Sequence, residues 1–417
     1  MTILVAGGGI GGLTLALSLH QQGLPVQVFE AVREVKPLGV GINVQPHAVR
    51  ELEALGLLPG LDRIGLRTEE VAYFNDHGQL IWDEPRGLKA GYRWPQFSVH
   101  RGRLQMLLYD AVVDRLGPDA LRTGAMVSTW REDADGVEIT LTDRKSGAEL
   151  GTARGDLLIA CDGINSTIRS TLFPDEGPPV WGGIMMWRGV TDGPRFRTGR
   201  TLAMCGTRAR KFVAYPIADT ETGSRINWIA DLALPPDTLF ARQDWNRPGR
   251  LEDVLPAFEG FRFDWLDVPG VIRGADAIYE YPMVDRDPLP AWTHGRVTLL
   301  GDAAHPMYPI GSNGASQTIL DARVLVREVL THGPCVAALE AYEAERRPAT
   351  SAIVLGNRGD GPDRILDVVA ERAPNGFDAI DDVLRPEDRS DIARGYKALV
   401  GGDIARLNAR PDILAAV

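Results

Sequence analysis

The chain has 417 residues with 56 acidic and 45 basic side chains, so its net charge at neutral pH is −11. This negative charge argues against nucleic acid or an anionic membrane as a partner. Hydrophobic residues make up 44% of the chain and charged residues 24%, as in ordinary globular proteins. The length indicates two or three domains, with a core large enough to enclose a sizeable ligand.

The composition also bears on the compartment. No apolar run reaches the roughly 18 residues of a membrane-spanning helix, and Met1 leads directly into a predicted strand, so no signal peptide is expected. The three cysteines, Cys161, Cys205 and Cys335, lie far apart in the sequence. That spacing is typical of free thiols in a reducing compartment. We therefore expect a cytoplasmic protein.

The first residues follow the pattern of a dinucleotide-binding unit. A short apolar run over 3–5 predicts a buried strand, and Gly7, Gly9 and Gly12 then form a G-x-G-x-x-G motif. In such a motif the first glycine permits a tight turn and the second lets a pyrophosphate approach the backbone. The third lets the helix pack against the strand. Taken alone, the motif also fits a glycine-rich turn that binds nothing.

The residues after the glycines complete the unit. The spacing of apolar residues predicts a helix over 10–22 that ends at Gly23. The N-terminus of this helix would offer N–H groups and a positive dipole end to a diphosphate. A second strand over 26–29 delivers Glu30 about twenty residues past the glycines, where a carboxylate accepts hydrogen bonds from ribose hydroxyls. An acid there argues against a 2′-phosphate on this nucleotide.

Beyond residue 30, helical and strand-like patterns alternate, and a second domain interrupts the first. In the first half we expect a glycine-containing loop at 39–42, a helix at 45–55, strands with a hairpin turn at 77–78 within 68–94, a helix at 100–116, a β-meander at 125–141, and a strand from 157 leading through 162–163 into a helix. In the second half we expect a mainly antiparallel domain at 182–281, a buried strand at 297–300, a long helical stretch at 319–347 and a charged, partly helical tail at 357–417.

Three motifs, in this order and spacing, resemble those of group A flavoprotein monooxygenases. These are single-component FAD enzymes that include the para-hydroxybenzoate and salicylate hydroxylases. The motifs are the glycine motif at 7–12, the Asp-Gly motif in CDGINSTIR (161–169) and the Gly-Asp motif in LLGDAAHPMYP (299–309). The resemblance extends to about residue 347. Further segments resemble the phenazine hydroxylase branch of pyocyanin biosynthesis, namely PLGVGINVQPHAV, HRGRLQM, MMWRGVT, YPMVDRDPLP and GSNGASQ.

The resemblance implies an α/β fold with three parts. These are a Rossmann-like FAD-binding domain of the glutathione-reductase type, an inserted, mainly antiparallel β-sheet substrate domain and a helical C-terminal region. The predicted boundaries are 1–72, 95–181 and 283–347 for the FAD-binding domain, 73–94 and 182–282 for the substrate domain, and 348–417 for the C-terminal region.

The resemblance also assigns residues to FAD. Asp302 would accept a hydrogen bond from a ribityl hydroxyl, although it could instead cap the following turn. Arg101, with Gln105 one turn later, would reach the pyrophosphate and ribityl chain, and a surface salt bridge is the alternative. Asp162 would hold the FAD side and a route for the nicotinamide donor. The full predicted set is Gly7, Gly9, Gly12, Glu30, Gly41, Arg101, Gln105, Asp162, Asp302, Gly311, Ser312, Asn313, Gly314 and Ala315.

The segment 311–314 would place backbone N–H groups at a helix N-terminus against the N1–C2=O edge of the flavin. There they would stabilise the negative charge of the reduced flavin. Many family members have Gly-Gln-Gly-x-Asn where this chain has Ser-Asn-Gly-Ala-Ser at 312–316. Gly314 is kept, so the backbone role would survive while side-chain contacts to the flavin would differ.

The candidate catalytic residues are Gly311 and Gly314 through their backbone, Pro306 as part of the cavity wall, and His305 as a proton carrier. A structural donor is the alternative for His305, because no carboxylate or cysteine partner is apparent from the sequence. No two of the seven histidines stand at metal-ligand spacing, so no metal is expected.

The candidate substrate residues lie in the second domain. Arg188 would pair with a substrate carboxylate, and a structural ion pair is the alternative. Trp187, Tyr215 and Tyr281 would line an aromatic pocket, although each could equally belong to the core.

The family's reaction implies NADH or NADPH as a transient electron donor and O2 as a second substrate. A C4a-hydroperoxyflavin would hydroxylate a small aromatic or heteroaromatic substrate, phenazine-like on the closer resemblance, with or without decarboxylation. Two other functions stay open: a flavin oxidase or reductase that inserts no oxygen, and a non-catalytic FAD-binding sensor. We expect a monomer or a homodimer.

Overall fold

The structure is a computed structural model that describes residues 1–235, 247–359, 361, 363–399 and 402–415. Parts of the predicted substrate domain (236–246) and of the predicted C-terminal region (360, 362, 400–401 and 416–417) lie outside the described residues.

The strands, in chain order, are β1 (Ile3–Ala6), β2 (Val26–Glu30), β3 (Gly41–Val44), β4 (Gly65–Thr68), β5 (Glu70–Phe74), β6 (Leu80–Pro85), β7 (Gln96–His100), β8 (Leu121–Thr123), β9 (Met126–Asp133), β10 (Gly136–Thr142), β11 (Glu149–Gly155), β12 (Leu157–Ala160), β13 (Val180–Gly193), β14 (Thr201–Thr207), β15 (Arg210–Asp219), β16 (Ser224–Ala233), β17 (Arg262–Phe263), β18 (Leu266–Asp267), β19 (Ile278–Asp285), β20 (Thr293–His294) and β21 (Val297–Leu299).

The α-helices are α1 (Ile10–Gln21), α2 (Pro46–Ala54), α3 (Leu58–Ile64), α4 (Arg101–Leu116), α5 (Thr167–Leu172), α6 (Leu251–Phe258), α7 (Val268–Arg273), α8 (Gly314–His332), α9 (Val336–Arg358), α10 (Arg364–Arg372), α11 (Ile380–Val383), α12 (Pro386–Leu399) and α13 (Ile404–Ala409). Short 3₁₀ helices lie at Gly87–Ala90, Pro118–Ala120, Gly301–Ala303 and Ile310–Ser312. Among these helices, all within the described ranges, none is both long and apolar enough to cross a bilayer.

The first domain is built on a largely parallel sheet. Its strand order is β20-β21-β12-β1-β2-β8, and every pair except β20–β21 is parallel. All four residues of β1 and of β12 are buried, as expected for central parallel strands covered on both faces. Helices α1, α4 and α8 pack together beside this sheet. The carboxyl ends of β1, β12 and β21 therefore open at one edge, where α/β folds commonly bind ligands.

The second domain is a seven-stranded sheet with the order β19-β13-β16-β15-β14-β5-β6, antiparallel except for β14–β5. Side chains alternate between its two faces, as in any strand. One face forms a core with α6 and α7 around Phe212 and Trp228. Part of the other face packs against α10 of the C-terminal region through Leu202 and Leu366. The rest of that face turns toward the first domain.

A buried ionic cluster joins three helices of the first domain. Glu51 of α2 accepts hydrogen bonds from Arg50 Nη2 at 2.5 Å and from Arg323 Nε of α8 at 3.1 Å. Arg323 also donates to Gln21 Oε1 of α1 at 3.0 Å. Since Glu51 and Arg323 are almost fully buried, this cluster fixes how α8 lies against its neighbours.

The predicted fold class is confirmed, and the predicted domain limits stay predictions, although three of them fall inside secondary-structure elements. The hairpin turn at 77–78 joins β5 and β6, with Gly78 at φ +79°. The predicted helical stretch at 319–347 consists of two helices, α8 and α9, which are separated at Gly333 (φ +80°). The predicted domain limit after residue 347 therefore falls inside α9, which continues through Pro348 to Arg358. The limits after 72 and 181 likewise cut β5 and β13.

We predict that Glu51→Gln destabilises the protein by about 3–5 kcal/mol, because it leaves the buried Arg50 and Arg323 without their counter-charge. Denaturant unfolding followed by circular dichroism measures the change. Glu149→Gln, at an exposed position in β11, is the matched control and should change stability by less than about 0.5 kcal/mol. Equal effects of the two substitutions would contradict this interpretation of the cluster.

Candidate active site

A cavity lies between the parallel sheet and the seven-stranded sheet. Its walls come from the glycine motif, the ends of β12 and β21, the start of α8 and the inner face of the second sheet. The predicted site residues that line it are Gly9, Gly41, Arg101, Arg188, Tyr215, Asp302, Gly311, Ser312, Asn313, Gly314 and Ala315. Residues more than 200 positions apart in sequence thus meet in one space.

At each of the three motif glycines, the absence of a side chain matters for a different local reason. Gly7 has φ +106°, and a Cβ there would lie 2.4 Å from the carbonyl oxygen of Cys161. A Cβ on Gly12 would lie 2.0 Å from the carbonyl oxygen of Gly7, so only glycine lets α1 approach the strand. A Cβ on Gly9 would meet nothing within 4 Å. Gly9 therefore faces the open cavity, where a bound group can approach its backbone.

Two polar side chains hold the glycine loop in place. Glu30 Oε2 accepts a hydrogen bond from Gly8 N at 2.6 Å, and Oε1 accepts from Val32 N at 2.8 Å. Gln105 Nε2 of α4 donates to the Gly8 carbonyl oxygen at 2.9 Å. Both residues thus shape the loop directly. A carboxylate oxygen has more than one lone pair, so Glu30 can also accept from a ribose.

Asp302 and Arg101 both line the cavity. Asp302 follows β21 in a 3₁₀ turn and is exposed, and the space to which it is exposed is the cavity. Desolvation by the surrounding protein raises the pKa of the Asp302 carboxyl, against the opposing effects of His305 and Arg101. Within the described residues Arg101 makes no ion pair, so the surface salt bridge considered for it is absent. The alternative considered for Asp302, a cap of the following turn, is not formed either: the described residues show no side-chain cap hydrogen bond at this turn.

Asp162 lies at the edge of the cavity, between Cys161 and Gly163, which line it. Its Oδ2 accepts from Thr167 N at 2.9 Å at the start of α5. Its Oδ1 is buried and has no hydrogen-bond partner in the described part of the chain. Burial raises the pKa of this carboxyl. An unpartnered buried oxygen at this position suits a hydrogen-bond donor from a bound cofactor.

The segment before α8 presents its backbone to the cavity. Gly311 has φ +68° and Ser312 has φ +56°, a strained region for serine. Asn313 Nδ2 donates to the Gly311 carbonyl oxygen at 2.9 Å, which closes the turn. Helix α8 begins at Gly314 with its N-terminal N–H groups and positive dipole end toward the cavity.

His305 and Pro306 are buried, and neither lies among the residues that line the cavity. His305 Nε2 is 2.5 Å from Asp321 Oδ2, and Asp321 Oδ1 accepts from Arg346 Nε at 2.7 Å. The expectation that His305 has no carboxylate partner is therefore wrong. Asp321 follows sixteen residues later on a separate element, which the sequence pattern does not reveal.

The four candidate substrate residues occupy different places. Arg188 and Tyr215 line the cavity. Trp187 does not, because neighbouring strand residues point to opposite faces, and it packs in the core beside α6 and α7. Tyr281 lies opposite Met186 in the register of β13 and β19, so it shares the face of the sheet that lines the cavity, and it packs with Met186, Met283 and Tyr308 beside the cavity without lining it. The expectation that Trp187 faces the substrate is not met.

Three charged residues of the cavity wall were missed in the sequence: Lys211, Asp231 and Asp363. All three line the cavity and are buried. The period of two along β15 could have indicated Lys211, since Lys211, Val213 and Tyr215 share one face. Asp231 and Asp363 come from β16 and from the turn before α10, and no local pattern points to them.

These features fit FAD. The glycine loop, with its open Gly9, and the N-terminus of α1 suit a diphosphate. The accessible Asp302 suits a ribityl chain, and the N-terminus of α8 suits a flavin ring. The unpartnered Asp162 oxygen suits a hydrogen-bond donor of the cofactor. For a metal ion the structure offers no support: no group of three or more possible ligands occurs in the described residues.

Comparison with known proteins agrees with this geometry. The FAD binding domain family matches residues 1–208 and 284–356. A phenazine 1,6-dicarboxylic acid hydroxylase of Lysobacter antibioticus is 45% identical over 361 residues, covering 85% of this chain and 89% of that protein. An aurachin C monooxygenase/isomerase of Stigmatella aurantiaca is 33% identical over 361 residues, covering 86% and 88%. Klebsiella pneumoniae HpxO in complex with FAD and uric acid has a TM-score of 0.76 at 26% identity, covering 96% and 97%.

Fold and site thus define an FAD-dependent oxidoreductase, and FAD is the cofactor. The chain belongs to the FAD binding domain family, as one of its flavoprotein monooxygenases. The predictions of family, fold and enzyme class are confirmed. The roles assigned to single residues stay predictions.

We predict that two glycine substitutions separate cofactor binding from folding. Gly9→Ala adds a methyl group only to the cavity, at an ordinary backbone conformation (φ −79°), so the protein should fold while losing at least about tenfold in FAD affinity (about 1.4 kcal/mol). Gly12→Ala should destabilise the apoprotein itself, because its Cβ overlaps the Gly7 carbonyl.

FAD titration by fluorescence and thermal unfolding of the apoprotein measure the two effects. Gly260→Ala, whose Cβ would meet nothing within 4 Å, is the control for a harmless glycine substitution. Unchanged FAD affinity in Gly9→Ala would show that the cofactor does not pass this point of the backbone.

Proposed function

We propose that this enzyme hydroxylates a fused heteroaromatic carboxylate, with FAD as cofactor, O2 as co-substrate and NADH or NADPH as electron donor. One observation carries the proposal: a single cavity joins the cofactor-binding loops to a sheet wall that combines apolar side chains with one arginine. The 45% identical relative is named for hydroxylation of a phenazine dicarboxylic acid, which supports a fused-ring acid as the substrate class.

Bound FAD would supply the oxygen-activating chemistry, and the chain would supply position and polarity. The N-terminus of α8 directs N–H groups and a positive dipole end into the cavity beside 311–315. These groups would stabilise negative charge on the reduced flavin without a formal cation, a contribution of about 0.3–1 kcal/mol or more when partly buried. Asp302 and Arg101 would hold the ribityl chain and the diphosphate, as the resemblance implies.

The sheet wall opposite these loops suits a flat aromatic substrate. Met186, Val213, Ile229 and Met283 give it an apolar surface, and ligand pockets of this kind exclude water from the reacting ring. Burial raises the pKa of Tyr215 to about 12, so its phenol stays neutral in the physiological range and serves as a hydrogen-bonding group.

Arg188 is the candidate partner for the substrate carboxylate. Its Nη2 donates to the Gly41 carbonyl oxygen at 2.7 Å, which fixes the guanidinium across the domain boundary. Its Nε is buried and has no hydrogen-bond partner among the described residues. A guanidinium presents several donors in a planar fork that matches a carboxylate. The structural ion pair considered for Arg188 is not formed by the described residues.

A direct proton role for His305 is not part of the proposal. The buried ring is bound to Asp321 and lies behind the cavity wall, so a substrate proton cannot reach it without rearrangement. His305 would act instead by holding the turn that presents Asp302. The proton released on hydroxylation would leave through solvent or through the polar residues of the wall.

The test measures the oxidation of the nicotinamide and the formation of the hydroxylated acid in the same reaction. FAD-loaded protein is mixed with NADH or NADPH under ¹⁸O2 in the presence of phenazine-1-carboxylate, quinoline-2-carboxylate or salicylate. We expect one hydroxylated product carrying one ¹⁸O atom for each nicotinamide oxidised, with a fused-ring acid preferred over salicylate. Mass spectrometry measures the hydroxylated product, and a peroxide assay measures any hydrogen peroxide that is released instead.

Peroxide alone with every acid would contradict the proposal and favour a flavin oxidase. Flavin that is not reduced by either nicotinamide, with any acid present, would favour a non-catalytic FAD-binding protein. A clear preference for salicylate would keep the monooxygenase and overturn the fused-ring substrate class.

A further inference from the structure

The sheet wall of the cavity contains a buried charge cluster that the reaction described above does not use. Lys211 of β15 and Asp231 of β16 face each other in the strand register. Lys211 Nζ lies 3.2 Å from Asp231 Oδ2 and 2.5 Å from Asp363 Oδ2. The three side chains are between 3% and 8% exposed, and all three residues line the cavity.

The cluster is incomplete in hydrogen bonding. It combines two carboxylates with one ammonium group, and the nearby guanidinium of Arg188 adds a second positive charge that acts on Asp231. A buried carboxylate oxygen nevertheless needs a hydrogen-bond donor, which charge at a distance does not supply. Asp231 Oδ1 is buried and has no hydrogen-bond partner within the described part of the chain. Burial raises the pKa of Asp231, while Lys211 acts in the other direction. The oxygen is therefore a basic acceptor that lacks a donor.

The position of Asp231 relative to Arg188 indicates which kind of ligand could supply the missing donor. In the register of β13 with β16, Arg188 lies opposite Ile229 and Met186 lies opposite Asp231. Arg188 and Asp231 are thus diagonal neighbours, which face the same cavity. One wall therefore holds an unpartnered donor, Arg188 Nε, and an unpartnered acceptor, Asp231 Oδ1. A planar ligand that carries both an acidic group and a hydrogen-bond donor satisfies both.

We propose that Asp231 Oδ1 accepts a hydrogen bond from an N–H or O–H group on the ring system of the substrate, so that the enzyme selects aromatic acids that also carry such a donor. This inference rests on the proposed function. Lys211 is a positioning residue that holds the other oxygen of Asp231. Asp363, from the C-terminal region, holds Lys211 and balances its charge, so that Lys211 does not itself attract the acid group of the substrate.

The test compares matched ligand pairs that differ only in the donor. Suitable pairs are 4-hydroxyquinoline-2-carboxylate with quinoline-2-carboxylate, and 6-aminophenazine-1-carboxylate with phenazine-1-carboxylate. Dissociation constants for the FAD-loaded protein come from the change in flavin absorbance on binding. We expect the wild-type protein to bind the donor-bearing acid of at least one pair about 10- to 100-fold more tightly, the range for a hydrogen bond to a charged group.

Three variants separate the roles. Asp231→Asn puts an amide of nearly the same size in place of the carboxylate and should reduce the preference to less than about threefold, mainly by weakening the donor-bearing acid. Arg188→Met should weaken both acids of a pair alike, since both carry the carboxylate. Asp219→Asn, at the far end of β15 in an exposed pair with Arg200, should leave the preference unchanged.

The binding results separate a failure of this inference from a failure of the proposed function. Equal binding of both acids by the wild-type protein, or an unchanged preference in Asp231→Asn, would overturn this inference while hydroxylation continued. The comparison of the two acids on the wild-type protein needs no variant, so it tests this inference even if Asp231→Asn folds poorly. If no aromatic acid binds or is hydroxylated, the proposed function fails, and this inference fails with it.

Discussion

One buried carboxylate, Asp321 of α8, fixes the arrangement on which the site depends. It accepts hydrogen bonds from Gly301 N at 3.2 Å and from Arg346 Nε at 2.7 Å, and it lies 2.5 Å from His305 Nε2. Burial alone would raise the pKa of Asp321, but His305 and Arg346 lower it overall, which keeps the carboxylate charged. The turn after β21 and the helix that begins at the cavity are therefore held together.

This arrangement explains why the cofactor side of the cavity is made mostly of backbone. The glycine loop after β1, the turn after β21 and the start of α8 all present main-chain atoms at the open edge of the parallel sheet. Main-chain dipoles are fixed by the fold, so they need little reorganisation when charge develops on a bound group. Across the cavity from these main-chain atoms, the sheet wall presents side chains, Arg188 and Tyr215 among them.

The sequence predicted the features that are local and missed those that depend on distant pairing. Gly7, Gly9, Gly12 and Glu30 lie within one strand-turn-helix-strand unit, so their positions in the glycine loop and beside it could be inferred from spacing. Whether Trp187 or Arg188 faces the cavity depends on which face of β13 meets the first domain, and spacing does not give that. The Lys211 cluster joins β15, β16 and the turn before α10. His305 and Asp321 likewise meet only because α8 packs behind the turn.

In the arrangement that we propose, one cavity holds the flavin ring at the start of α8 and the substrate between that ring and the sheet wall. A crystal structure of the protein with FAD and a fused-ring acid tests it most directly. We expect the pyrimidine edge of the flavin at the N–H groups of 314–315 and the carboxylate of the acid within hydrogen-bond distance of Arg188. An acid bound outside this cavity, or a flavin ring that never contacts 311–315 with the acid present, would contradict it.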